Sequence, residues 1–428
     1  MKLHLSKAHV IDPVTGTDAI LDLRIADGRI ERMGPGLPQE RGFEVIDMTG
    51  KIVTPGLMDM HVHLREPGFE HKETIATGCA AAAAGGFTAI ACMPNTNPAI
   101  DDESVARYVQ EQGRRAANGV VDVLPIGAAT KGRSGEELAP FAELAEAGAI
   151  GFSDDGAPIA SAEIMRRVLE YASMYDLPVI QHAEEPTMVR GGCMHEGSVS
   201  LRLGLPGIPR VAEEIMIARD LILLRYIPRA RYHVAHISTA ESVDLIRRAK
   251  AQGLNVTCEV TPHHFTLTDE AVEGYDTNTK MNPPLRPRED VEALKEGLKD
   301  GTIDVIATDH APHTVDEKEV EYTAAPFGII GLETALGLAL TELVHTKVLT
   351  LSQLIGKLST NPRRITSRPP IRLEQGAPAN LTLIDPDIEW IVDRGTSHSK
   401  SQNSPFGGRR LKGGAIGIIN HGMYVSAG

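Results

Sequence analysis

Eight short apolar runs, separated by stretches of helical periodicity, set the tightest limit on what this chain can fold into. They fall at 56–63, 87–93, 121–128, 149–153, 177–182, 231–236, 255–260 and 303–308. Between most of them apolar residues recur with a helical period, as at 73–84, 160–174, 210–224 and 242–251. Strand-length runs alternating with helices predict parallel strands joined by crossovers, and eight such units predict an α/β fold of TIM-type (β/α)8 barrel architecture. A barrel of this kind takes about 250 residues, so the 428-residue chain holds something more. Short alternating runs at 2–10, 19–25, 29–33 and 44–48, punctuated by Asp12-Pro13 and Asp27-Gly28, predict a small β unit, and 379–384, 389–392 and the Gly-rich stretch from 413 give a second set. Chain termini often lie close together within a domain. The two ends, 1–54 and 366–428, are therefore expected to pack as one small β domain beside a barrel at 55–365.

In barrels of this type the catalytic residues sit at the C-terminal ends of the strands, while the opposite face serves stability. Here those ends are polar in a repeated way. The first run ends in His61 and His63, the second leads to Asn95, and the fourth to Asp154 and Asp155. The fifth ends in His182, the sixth in His236, the seventh leads to His263 and His264, and the eighth to Asp309 and His310. Side chains of a strand alternate faces, so His61 and His63 share one face and Val62 takes the other. Taken alone, such a pair is equally two buried histidines satisfied by hydrogen bonds. A His or Asp at the same end of six of the eight runs is hard to ascribe to core packing. It predicts a metal site of imidazole and carboxylate ligands that activates water. His233 faces away from His236 in a strand and reads as structural, while His263 and His264 read as residues that orient ligands from behind.

Composition narrows the partners. A formal net charge of −14 without a basic patch argues against nucleic acid and anionic membranes. Cys79, Cys92, Cys193 and Cys258 have no CxxC spacing, as expected of reduced thiols in a cytoplasmic protein. No signal-type head and no apolar segment of membrane-spanning length is present in the sequence.

Four segments carry a resemblance to the class I dihydroorotases of the amidohydrolase superfamily. They are Asp59-Met60-His61-Val62-His63-Leu64-Arg65-Glu66-Pro67-Gly68, Met93-Pro94-Asn95-Thr96-Asn97-Pro98, Met281-Asn282-Pro283-Pro284-Leu285-Arg286 and Ala307-Thr308-Asp309-His310-Ala311-Pro312-His313. The likeness covers essentially the whole chain. It implies a centre of two zinc ions, with His61, His63 and Asp309 holding one, His182 and His236 the other, and Asp155 bridging them. Related hydrolases usually carry a carboxylated lysine at the strand-four position, and the run 149–156 has none. Aligning its Asp-Asp-Gly motif favours Asp155 over Asp154 as the bridge.

The resemblance further implies that Asp309 shuttles a proton, its competing role being a helix N-cap. Arg65, with Asn95 and His313, would bind the carboxylate of dihydroorotate; the competing role for Arg65 is a surface ion pair with Glu66 or Glu70. Asn278 and the backbone at Phe327 and Gly328 would face the ring. The charged stretch 314–323 is either a lid or a surface loop. The implied reaction is reversible hydrolysis of (S)-dihydroorotate to N-carbamoyl-L-aspartate in pyrimidine biosynthesis. A related cyclic amidohydrolase (dihydropyrimidinase, hydantoinase or allantoinase) and a non-catalytic dihydroorotase-like subunit supporting aspartate transcarbamoylase are the alternatives. Arg65 and Asp155 speak against the first, and the complete ligand set against the second. A homodimer, or association with aspartate transcarbamoylase, is the implied partnership.

Overall fold

The computed structural model describes residues 1–427. Its central strands are Leu57–Val62, Phe87–Cys92, Asp122–Pro125 continued by Gly127–Ala128, Phe152–Ser153, Val179–Gln181, Tyr232–Val234, Val256–Val260 and Val305–Ile306. Each of the eight predicted runs thus contains a strand, and neighbours pair in parallel in chain order. Val62 of the first strand also bridges in parallel to His310, just beyond the last. Every residue of Leu57–Val62 and of Phe87–Cys92 is buried, which fits parallel strands covered on both faces. Met58, Met60, Ala89, Ala91, Ile126, Ile180 and Val305 form the cluster along the inner strand faces. A larger cluster joins the outer faces to the helices, through residues such as Phe87, Ile90, Cys79 and Val105.

The helices begin where local chemistry lets them. Thr74 caps Ile75–Ala84 by accepting from the Thr77 amide at 3.1 Å, and the alanine-rich helix then lies close on the strands. Gly85 caps its C-terminal end at a place where a Cβ would lie 2.2 Å from the Leu332 carbonyl oxygen, so no side chain fits. Among the described residues no helix is long and apolar enough to cross a membrane.

Strands from both chain ends share one eight-stranded sheet. Its order is Met423–Ser426, Arg410–Asn420, Leu381–Ile391, Ile52–Pro55, Lys2–Asp12, Thr17–Ala26 and Arg29–Gly34, with Glu44–Asp47 pairing alongside Lys2–Asp12. Ile52–Pro55 is the seam, parallel to Lys2–Asp12 and antiparallel to Leu381–Ile391. The sequence reading gave no separate strand there, because four residues run almost directly into the first central strand. It also split 381–391 in two. The structure carries one strand with a register shift between Asp385 and Glu389, spanning Pro386, which has no amide to donate.

Two segments return to the C-terminal ends of the central strands. Residues 399–403 anchor there: Ser399 Oγ and the Lys400 amide donate to Glu73, while the Asn403 side chain accepts from the His313 amide and donates to the Ala311 and Gly328 carbonyls. Within 314–323, Val315–Lys318 is a helix capped by Thr314, with Lys318 buried.

Candidate metal centre

A change of face in the first strand aims the two leading histidines. Met58 and Met60 belong to the inner cluster, whereas Val62 and Leu64 belong to the outer one, and the register is irregular between Asp59 and Val62. Such an irregularity re-aims side chains. Here it turns His61 and His63 toward Asp155, Asp309 and His236. The Asp59 carboxylate braces the spot by accepting from the His61 amide at 3.0 Å and the Thr308 amide at 3.2 Å, which ties the first strand to the eighth.

Asp155 lies at the centre. Its Oδ2 is 3.3 Å from His61 Nε2 and 3.5 Å from His63 Nε2. Its Oδ1 is 3.6 Å from both His182 Nδ1 and His236 Nε2. Two sets of three donors therefore share one carboxylate, His61, His63 and Asp155 on one side and Asp155, His182 and His236 on the other, each set within 4.8 Å. Asp309 Oδ1 joins the first side, 2.9 Å from His63 Nε2 and 3.4 Å from His61 Nε2. Asp154 is occupied elsewhere, accepting from the amides of Ala129 and Thr130 at 3.0 and 2.9 Å. Of the two aspartates only Asp155 faces the histidines.

The donor set fits divalent cations. His61 Nε2 and Asp155 Oδ1 are buried without a hydrogen-bond partner. Burial disfavours charge on Asp155 and Asp309, yet the imidazoles around them hold both carboxyls well below their usual range. Burial also works against charge on His61, but Asp155, Glu259 and Asp309 outweigh it and hold that imidazole well above its usual range. Three buried carboxylates in one place call for positive charge, and nitrogen and oxygen donors of this kind suit zinc or a similar ion. The backbone is left-handed at Arg65, His236 and Asp309, with φ of 63°, 28° and 49°. Strain of this kind gathers at functional sites.

Two carboxylates outside the sequence reading orient the ligands. Glu259 Oε1 is 2.5 Å from His61 Nδ1 and Oε2 is 3.2 Å from His233 Nε2, so the other nitrogen of His61 is the one presented to Asp155. Its signal was a carboxylate inside an otherwise core strand. On the far side, Asn282 Nδ2 lies 3.4 Å from His182 Nε2 and donates to Glu184 at 2.8 Å. Glu184, two residues after His182, was readable only once its partner was known. His264 ties Thr261 to the Pro283 carbonyl, at 2.7 and 2.9 Å, and contacts no ligand. His310 Nε2 turns to Glu73 at 3.2 Å.

Arg65 sits beside this cluster. Its Nε donates to the Pro312 carbonyl at 3.2 Å, and Nη2 lies 3.5 Å from His313 Nε2. Among the described residues it has no carboxylate partner. The surface-pair alternative fails because Glu66 accepts instead from the Ile75 amide and the Tyr108 hydroxyl, both at 2.8 Å, and Glu70 from the Gly68 amide. Burial lowers Arg65 only to about 10, so it is a cation at neutral pH. Burial, with Arg65, Lys72 and Lys318 nearby, pulls His313 down to about 3 and leaves it neutral. Asn95 Oδ1 is 2.8 Å from His63 Nδ1, so its carbonyl orients that imidazole. Asn278 and His313 line a polar cavity of about 500 Å³. Gly328 packs so closely that a Cβ would lie 2.8 Å from that of Ala311, and half-buried Phe327 lies beneath the Lys280 ammonium at 4.8 Å.

The family described as "Dihydro-orotase-like" matches over residues 50–242. A dihydroorotase of Pelotomaculum thermopropionicum is 56% identical over 425 residues, covering 99% of this chain and 98% of that protein. One of Pelobacter propionicus is 53% identical, covering 99% of each. Among solved structures, the L-hydantoinase (dihydropyrimidinase) of Arthrobacter aurescens superposes with a TM-score of 0.87 at 24% identity, covering 99% of this chain and 96% of that one. The dihydropyrimidinase of Brevibacillus agri superposes at 0.83 with 23% identity, covering 100% and 95%. At that identity the two structures speak for a shared mixed α/β fold alone.

Proposed function

The chain belongs to the dihydroorotase family, and on that premise we propose that its buried histidine and aspartate cluster catalyses reversible hydrolysis of (S)-dihydroorotate to N-carbamoyl-L-aspartate in pyrimidine biosynthesis. The observation that carries the substrate side is Arg65, a guanidinium without a carboxylate partner among the described residues, beside the ligand cluster. An arginine fork grips a carboxylate bidentately. Dihydroorotate has that carboxylate; dihydrouracil and hydantoin lack it.

His61, His63 and Asp309 would hold one zinc ion, His182 and His236 a second, and Asp155 would serve both. Such ions supply Lewis acidity, a water acidic enough to ionise near neutral pH and a polarised ring carbonyl. Asp309 takes the proton of the attacking water and delivers it to the ring nitrogen as the C–N bond breaks, and in ring closure it moves that proton back. Its place beside His63, inside the cluster, supports this role. Arg65, Asn95 and His313 fix the substrate carboxylate, while Asn278 and the backbone at Phe327 and Gly328 bound the ring. The scaffold for this reading is a closed barrel at 55–365 with a small β domain from 1–54 and 366–428, supported by the Val62 to His310 bridge and the shared terminal sheet. A homodimer or an aspartate transcarbamoylase complex in a cytoplasmic setting completes it, and four free buried cysteines accord with a reducing compartment.

The test is turnover of dihydroorotate beside dihydrouracil and hydantoin by the wild type and Arg65→Met, with metal content measured on the same samples. Only dihydroorotate should turn over, and Arg65→Met should lower its kcat/KM by about a hundredfold, near 3 kcal/mol, with metal retained. Preference for a ring without the carboxylate would overturn the substrate assignment.

A further inference from the structure

Of the buried lysines that make no ion pair among the described residues, two face each other outside the metal centre. Lys318 closes the helix Val315–Lys318, and its ammonium donates to the carbonyls of Thr277, Lys280 and Pro326 at 3.1, 3.3 and 2.8 Å. Its own carbonyl accepts from the Thr277 hydroxyl at 2.6 Å. Lys280 answers from the other side. Its ammonium donates to the carbonyls of Tyr322 and Thr323, both at 2.9 Å, and its carbonyl accepts from the Gly328 amide at 3.0 Å. Each lysine thus ties its own segment to the carbonyls of the other. Lys318 and Lys280 are only 4% and 3% exposed, and a buried ammonium satisfied by neutral oxygens alone is costly to keep where an apolar side chain would fill the space.

The two segments they join, 277–280 and 318–328, are the ones that carry Asn278, Phe327 and Gly328. We propose that Lys318 and Lys280 are positioning residues that clamp these segments together and so set the wall against which the ring of the substrate rests. The inference relies on the reading of Asn278, Phe327 and Gly328 as substrate residues. It makes the clamp a determinant of KM, remote from the bond-breaking step.

The clamp also senses pH. Burial, with Lys280 close by, brings Lys318 down to about 7, against the opposing pull of Asp276 and Glu317. Besides these, Glu319 on its own segment and Asp393 and Arg394 of the C-terminal segment line the cavity it borders. As pH rises through about 7 the ammonium loses one of the three protons that hold the three carbonyls.

The experiment measures KM and kcat for dihydroorotate from about pH 6 to about pH 9. It uses the wild type, Lys318→Met, Lys318→Arg, Thr277→Val and Asn278→Ala, with metal content on each. Wild-type KM should rise on the alkaline side. Lys318→Met should raise KM about tenfold with kcat within about twofold, and should lose that inflection. Lys318→Arg, which stays charged, should hold KM low at alkaline pH. An unchanged KM in Lys318→Met, an inflection that persists in it, or a parallel loss of kcat and metal overturns the clamp. Should Lys318→Met fail to fold, Thr277→Val decides, since a KM raised a fewfold with kcat retained supports the clamp and an unchanged KM overturns it. Asn278→Ala separates the two layers. If it raises KM while the Lys318 and Thr277 variants do not, the clamp alone is wrong; if none of them moves KM, the substrate reading fails with it.

Discussion

At the scale of single residues, the histidine and aspartate cluster depends on groups that lie behind it. Glu259 accepts a hydrogen bond from His61 Nδ1 at 2.5 Å and also contacts His233; burial works against its charge, but these two imidazoles outweigh it and hold its carboxyl at about 2. It therefore stays ionised and fixes which nitrogen of His61 meets the cluster. Glu259→Gln keeps the shape and removes the charge. Zinc affinity should fall about ten- to a hundredfold, measured by titrating metal-free protein, with activity recovered at high zinc. An unchanged affinity would mean that His61 is oriented by its backbone alone. Asn95 acts in the same manner on His63, its Oδ1 accepting from Nδ1, so an asparagine that reads from sequence as a substrate contact also sets the tautomer of an imidazole in the cluster.

At the scale of elements, close approach decides which positions must be glycine. The alanine-rich helix Ile75–Ala84 ends at Gly85, where the Leu332 carbonyl oxygen occupies the place of a side chain. Gly85→Ala should lower stability by about 1–3 kcal/mol through overpacking. The urea midpoint should drop with an unchanged m-value. The first strand makes a different point. Strict alternation would carry Met58 and Met60 to the same face as Val62, yet the irregularity between Asp59 and Val62 sends them to opposite clusters and turns His61 and His63 inward. Alternation predicted correctly that the two histidines share a face. It could not tell which face, because that depends on the pairing with Phe87–Cys92.

At the scale of the whole molecule, buried neutral imidazoles link stability to pH. Burial lowers His195, His263 and His313 to about 3, with Arg286 and Arg210 adding to the effect at His195. Their folded values lie below the unfolded 6.5, so between the two the unfolded chain binds more protons. The stability they contribute is complete above 6.5 and is lost as pH falls toward 3. His195→Gln should therefore flatten the acid limb of unfolding free energy against pH by about one proton, about 1.4 kcal/mol per pH unit, read from urea midpoints. An unaltered slope would show that His195 takes up its proton in the folded state. The sequence by itself determined the α/β alternation, the eight strand positions and the polar residues at one end of them. These follow from side-chain period and strand-end chemistry, which are local. Only the tertiary structure decided that Glu259 reaches His61 across 198 positions, that Ile52–Pro55 stitches the two chain ends, and that Asn403 returns to hold His313. The physical reason is that a hydrogen bond between distant segments leaves no periodic trace in either, and its partner exists only once the chain has closed.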